Sequence, residues 1–152
     1  MSDCLFSPVT PEDIPQIKSW FAADSVRKHI GIDDFAQYCR FVEDAPDYYL
    51  YAVRLTEAHT VAAITAGEVI DGVAYLMLIV DPSRQHRGIG QRVLRDVIRM
   101  TDSLFGRHCT LAAAIDESNT ASIRCFESCG FRRGQPDADG VPLYYFERQS
   151  EK

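Results

Sequence analysis

The residues best suited to chemistry are the ten from Asp81 to Gly90, Asp81-Pro82-Ser83-Arg84-Gln85-His86-Arg87-Gly88-Ile89-Gly90. They place two glycines between an apolar run and an amphipathic stretch. Glycine lets backbone N–H groups come close to a ligand, and unpaired N–H groups at a helix start, backed by the helix dipole, suit phosphate oxygens. Arg84, His86, Arg87 and Arg92 add local positive charge, as a phosphorylated ligand needs. The plainer reading of the same residues is a tight turn followed by a helix, with solvated arginines. Two other phosphate motifs fit badly. A dinucleotide fingerprint needs a third glycine where Val93 stands, and a P-loop needs Gly-Lys followed by Ser or Thr.

Those glycines must be held by an ordered frame. Thr10-Pro11-Glu12-Asp13 reads as a helix start, with Thr10 as cap and Pro11 in the first turn, and Ile14, Ile17 and Phe21 continue an apolar stripe. This predicts a helix over 11–23. A second follows Asp33 and stops before Pro46. From Tyr48 the pattern turns β-prone: 48–55 and 60–67 form an antiparallel hairpin around a turn at 57–59. Asp71-Gly72 is a two-residue hairpin turn, and it feeds 73–80, a continuous apolar run expected as one central strand covered on both faces. Ile89, Val93, Leu94, Val97, Ile98, Leu104 and Phe105 share one stripe of a long helix that Gly106 stops. A strand at 109–115 then implies a parallel crossover from 73–80. Asn119 opens a third helix that Gly130 ends, and 131–134 with 141–147 form a closing hairpin.

Composition narrows the classes. The 152 residues suit one domain, 1–152, and 46% hydrophobic with 25% charged residues is ordinary for a globular chain. A net charge of −6 offers no field for nucleic acid, and no apolar run is long enough to cross a bilayer. Without a recognisable signal peptide, a cytoplasmic location is expected, with no nucleic-acid and no membrane partner. The five cysteines are irregularly spaced and read as reduced thiols, with no metal site. Cys125 lacks a base or cation placed to activate it and reads as a buried helix residue.

The segment 85–90 resembles the Gln/Arg-x-x-Gly-x-Gly/Ala acyl-CoA motif of the GNAT superfamily of N-acetyltransferases. Asn119, Ser122, Phe126, Gly130 and Phe131 match the spacing of a second segment of that family, Asn-x-x-Ala-x-x-x-Tyr-x-x-x-Gly-Phe. The element order agrees along almost the whole chain. The resemblance implies an α/β fold, a splayed mixed sheet of about 6–7 strands with about 4 helices on both faces. It implies acetyl-CoA as co-substrate, an amine as acceptor, and direct attack of that amine in a ternary complex. Leu78, Ile79 and Val80 would pair with the pantetheine arm. The amides of His86, Arg87, Gly88, Ile89, Gly90 and Gln91 would hold the pyrophosphate, with Gln85, Asn119, Ser122 and Phe126 also at the cofactor.

The departures from the family pattern concern proton transfer. The usual tyrosine acid position holds Phe126, and the usual glutamate positions hold Ala74 and Ala114. Glu68, Tyr75, Tyr144 and Tyr145 are the substitutes within the sequence, each also readable as an ordinary solvated or half-buried residue. Proximity with a water chain is a second solution, and a domain that binds acyl-CoA without turnover a third. The resemblance puts His29 near the acceptor pocket, although alone it reads as a surface histidine. A closed pocket for a small amine and an open groove for a peptide N-terminus or lysine both stay open, and the terminal hairpin leaves room for a homodimer.

Overall fold

In the computed structural model, which describes residues 4–57, 59–85, 87–106 and 108–146, the Asp71-Gly72 turn is formed as its sequence demands. Both residues have positive φ, 51° and 80°, which matches the twist of the strands that they join. Those strands belong to an eight-stranded mixed sheet. Its members are β1 (Cys4–Pro8), β2 (Tyr48–Leu55), β3 (Val61–Ile70), β4 (Val73–Tyr75), β5 (Met77–Val80), β6 (Thr110–Ala114), β7 (Arg132–Pro136) and β8 (Pro142–Phe146). The order is β1-β2-β3-β4-β6-β8-β7, with β5 paired to β3 alone. β4 and β6 run parallel, and the expected crossover joins them.

Helices cover both faces. On one, α1 (Ile14–Trp20), α2 (Asp24–Arg27) and α3 (Phe35–Glu43) pack Ile17, Trp20, Val26 and Phe35 onto Ala52, Ile64 and Ile79. On the other, α4 (Ile89–Arg99), α5 (Thr101–Phe105) and α6 (Thr120–Ser128) bury Val93, Leu94, Leu104 and Phe126 against Val53, Ala74 and Leu111. The sheet thus exceeds the expected strand count by one or two, and the helices number six among the described residues.

The informative departure is the central run 73–80, which is two strands rather than one. Register with β3 is the same on either side of the break, Val69 facing Ala74 before it and Ala66 facing Met77 after it. Between them the ladder opens. Tyr75 turns its carbonyl out to receive the Tyr49 hydroxyl at 2.7 Å, and the Leu76 N–H goes sideways to the Ala112 carbonyl at 2.7 Å. Gly67 makes this fit, because a Cβ there would lie 1.9 Å from the Tyr75 oxygen.

Other boundaries moved for identifiable reasons. Thr10 does not cap a helix; its N–H and hydroxyl donate to the Asp13 carboxylate at 3.0 Å, and α1 begins only at Ile14 with Pro15 in its first turn. Asp13 also pairs with Arg54 at 2.6 Å. Burial pushes its carboxyl up, but the Thr10 and Arg54 hydrogen bonds outweigh that and hold it below the usual range. The long helix is divided at Met100 into α4 and α5, and there the Thr101 hydroxyl donates back to the Val97 and Ile98 carbonyls. β1, which pairs with β2, was not expected: five residues ending in proline give too short a pattern.

Candidate functional site

The break at Leu76 leaves β5 with one covered edge and one open edge. β4 has β6 beside it, whereas β5 has only β3 among the described residues. In an antiparallel ladder alternate residues bond the partner strand and the ones between point away. The Asp81 N–H bonds the Ala62 carbonyl at 2.9 Å, and the Leu76 N–H points oppositely, to Ala112. The alternation therefore turns Ile79 toward β3 and turns the main-chain groups of Leu78 and Val80 to the open edge. Of the three residues expected to pair with a ligand arm, Ile79 offers its backbone to Ile64 instead. Its side chain is buried under α1 to α3.

Beside this edge lies the start of α4. Gly88 precedes it with φ of 74°, a left-handed conformation that costs a glycine nothing. The Arg92 N–H is the first to reach a helical acceptor, the Gly88 carbonyl at 3.1 Å, so the amides of Ile89, Gly90 and Gln91 have no acceptor within the helix. Gly90 has a different task. A Cβ there would meet the Cys125 sulfur at 3.2 Å, Val80 at 3.7 Å and Leu78 at 3.8 Å, so the glycine lets α4 close on both α6 and β5. Burial pushes the Cys125 thiol up to about 12, which leaves it a packing group. Gln85 reaches Ser25 at 3.4 Å. Arg87 is exposed, and His86 lies outside the described residues.

Two of the loop's arginines already hold carboxylates. Arg92 makes two hydrogen bonds to Glu57, at 3.0 and 3.1 Å, and Arg84 lies 3.7 Å from Asp81. The local charge is thus less positive than the residue types alone suggest.

The open edge at Leu78 and the start of α6 meet at a cleft of about 250 Å³. Leu76, Met77 and Leu78 form its β5 side, and Ala113, Ala114 and Ile115 its β6 side. From α6 come Asn119, Ser122 and Phe126; from beyond α2 come His29, Ile30 and Gly31. Asn119 caps α6, its Oδ1 accepting from the Ser122 N–H at 3.3 Å. Phe126 is buried edge-on against Phe131, with ring centroids 5.0 Å apart.

The candidate proton-transfer residues scatter. Tyr75 lines the cleft; Glu68, Tyr144 and Tyr145 do not. Glu68 accepts from the Tyr48 hydroxyl, and that bond pushes the phenol's ionisation up. Tyr144 is buried in the core, and Tyr145 packs over Gly134. His29 does face the cleft, and so does Asp116, which the sequence did not single out. The Asp116 carboxylate takes the Ser118 hydroxyl and N–H, contacts that hold it below the usual range, with the His29 charge a smaller contribution. Among the described residues no cluster of three or more metal-ligating side chains exists.

Comparison with known proteins adds three findings. The family model described as "Acetyltransferase (GNAT) family" matches residues 14–131. The chain is 26% identical over 141 residues to the uncharacterized N-acetyltransferase YfmK of Bacillus subtilis (strain 168), covering 89% of this chain and 90% of that protein. Solved structures share the fold. AAC(6')-Ib in complex with parmomycin and acetylCoA superposes with a TM-score of 0.75 at 18% identity, over 95% of this chain and 92% of that one. Spermidine N-acetyltransferase from Vibrio cholerae, in complex with CoA and spermine, gives 0.74 at 11% identity, over 94% and 93%.

Proposed function

The chain belongs to the GNAT acetyltransferase family, and from that premise we propose that it transfers an acetyl group from acetyl-CoA to a primary amine bound in the cleft between β5 and β6. One observation supports the proposal: the acceptor-free amides at the start of α4 lie against the open edge of β5, where Gly90 packs at Leu78 and Val80, and Leu78 in turn lines the cleft. An edge strand with outward main-chain groups can take an amide-bearing chain as a further strand. A run of helix-start amides behind a left-handed glycine can take phosphate oxygens. The linear arrangement suits a ligand with a diphosphate at one end and an amide-containing arm at the other, which is how this chain fits coenzyme A.

When bound, acetyl-CoA supplies an acyl group activated as a thioester. The protein's share is positional. Leu78 and Val80 offer the outward N–H and carbonyl groups of β5 to the arm, and one of their N–H groups can polarise the acyl carbonyl. Ile89, Gly90 and Gln91 offer amides to the diphosphate. Phe126 and Ala114 exclude water without moving protons, so alignment of amine and acyl group in the cleft carries much of the rate. The relatives whose structures contain spermine or an aminoglycoside support a polyamine or amino-sugar acceptor.

A thiol-release assay with acetyl-CoA tests this across polyamines, aminoglycosides, amino acids and peptides. Amine-dependent release with a matching acetylated product is expected. Tight CoA binding with no release from any amine overturns it in favour of a non-catalytic acyl-CoA sensor.

A further inference from the structure

The transfer proposed above, on which this inference rests, requires the acceptor nitrogen to lose a proton as its bond to the acyl carbon forms. Of the described residues that line the cleft, only His29, Tyr75 and Asp116 carry a titrating side chain. Phenols ordinarily keep their proton at neutral pH and carboxylates are ordinarily weak bases there, whereas imidazole changes charge close to neutrality. Ala114 and Phe126 line the same cleft and can do neither. The position of His29 is fixed from behind: its N–H and that of Ile30 both donate to the Val26 carbonyl, at 3.2 and 3.1 Å, as α2 closes. Asp116 lines the same cleft from the segment after β6, its carboxyl held below the usual range by the Ser118 contacts and in smaller part by the His29 charge. That carboxylate is itself anchored, one oxygen accepting from the Ser118 N–H at 2.8 Å and from the Ser118 hydroxyl at 2.5 Å.

We propose that His29 accepts the proton released by the acceptor amine, and that Asp116 is a positioning residue that steadies the imidazole across the cleft. The nitrogen–carbon bond forms, the carbon–sulfur bond breaks, and the electron pair stays on sulfur. The amine proton passes to the imidazole, which then gives it to the thiolate, directly or through water, so no proton is gained or lost overall. The charged and titratable groups around His29 are Asp116 from the segment after β6, Tyr75 from β4, and Arg27 and Lys28 on its own segment, with Arg27 paired to Asp24.

The test is the pH dependence of kcat/KM in full-length wild type and in the His29→Gln, His29→Gly and Asp116→Asn variants, with CoA affinity by calorimetry on each. Loss of a general base costs about 10²-fold or more in kcat. His29→Gln should show that loss with unchanged CoA affinity, and the acidic limb of the wild-type profile should be absent from it. Added imidazole should restore part of the His29→Gly activity. Asp116→Asn should lose less, keep its KM for acetyl-CoA, and shift the acidic limb to lower pH, because the protonated ring has lost the charge of Asp116. Activity within about threefold of wild type in both histidine variants, or a loss that leaves the acidic limb in place and that imidazole does not repair, overturns the role of His29 while acetyl transfer stands. A wild type that acetylates no amine overturns both.

Discussion

The two walls of the cleft are built from different parts of the chain. The wall proposed for coenzyme A is main chain: outward amides and carbonyls of Leu78 and Val80, continued beyond the cleft by the amides of Ile89, Gly90 and Gln91. The opposite wall is side chain, with His29, Tyr75 and Asp116 converging from three separate segments. A main-chain site depends on where the backbone is allowed to go, so it is sensitive to a Cβ and tolerant of side-chain identity. A side-chain site has the reverse sensitivities. Substitutions can therefore tell the walls apart by what they damage.

The most damaging substitution should be Gly67→Ala. The new Cβ would sit 1.9 Å from the Tyr75 oxygen and 3.0 Å from its carbonyl carbon, both backbone atoms that cannot rotate away. Relief requires the backbone at Tyr75 to move, and that disturbs the break from which the open edge of β5 starts. Overpacking against backbone should cost about 3 kcal/mol or more in urea unfolding, with CoA binding lost in parallel. A Gly67→Ala protein of normal stability means that the break at Leu76 is not held as described.

The two loop glycines come next and separate by cause. Gly90→Val presses on the Cys125 sulfur, already 3.2 Å from the position of a bare Cβ, and should cost about 1–3 kcal/mol. Adding Cys125→Ala should return part of it. Gly88→Ala meets nothing within 4 Å and suffers only from its φ of 74°, about 1–2 kcal/mol. Cys125→Ala should not help there. Equal rescue of both by the same partner substitution refutes the division of labour.

This contrast also explains what the sequence could disclose. The turn and helix start at 88–90 were legible because their demands fall on residue types with strong backbone meaning: Gly88, Gly90 and the apolar stripe that begins at Ile89 and seats α4. Asp71-Gly72 was legible for the same reason. The splay was not, since the run 73–80 has an unbroken apolar pattern and its interruption is caused from the neighbouring strand, by Gly67 and the Tyr49 hydroxyl. A glycine inside a β-prone run was the available sign of it. The assignment of Leu78 and Val80 outward and Ile79 inward needed the register, which spacing alone does not supply. On the other wall, Asp116 gave no signal because a single aspartate after a strand is common, and Glu68 and Tyr144 drew attention by type although the fold commits them to Tyr48 and to the core.

A smaller effect belongs to Asn119, where the two walls meet. Its Oδ1 caps α6 through the Ser122 N–H, so Asn119→Ala should destabilise by about 1 kcal/mol, and Asn119→Asp should recover most of that. If Asn119 also reaches the coenzyme arm through its amide N–H, Asn119→Asp will restore stability without restoring CoA affinity. Calorimetry beside thermal melts distinguishes the outcomes, and identical recovery of both confines the residue to capping.

The smallest expected effect is a gain. Glu57 is exposed and pairs with Arg92 one turn into α4; the guanidinium hydrogen bonds hold its carboxyl below the usual range, so the pair is intact at neutral pH. It competes with any phosphate for the same arginine. Glu57→Gln removes the competing charge and should tighten CoA binding modestly at low ionic strength. The gain should fade by about 0.3 M salt, where charges more than a few ångströms apart are screened. A site made mainly of amides should meanwhile keep most of its affinity over that range in wild type. A steep loss with salt in wild type, together with a large gain in the variant, would instead put the binding energy on the arginine side chains and dissolve the distinction between a main-chain wall and a side-chain wall.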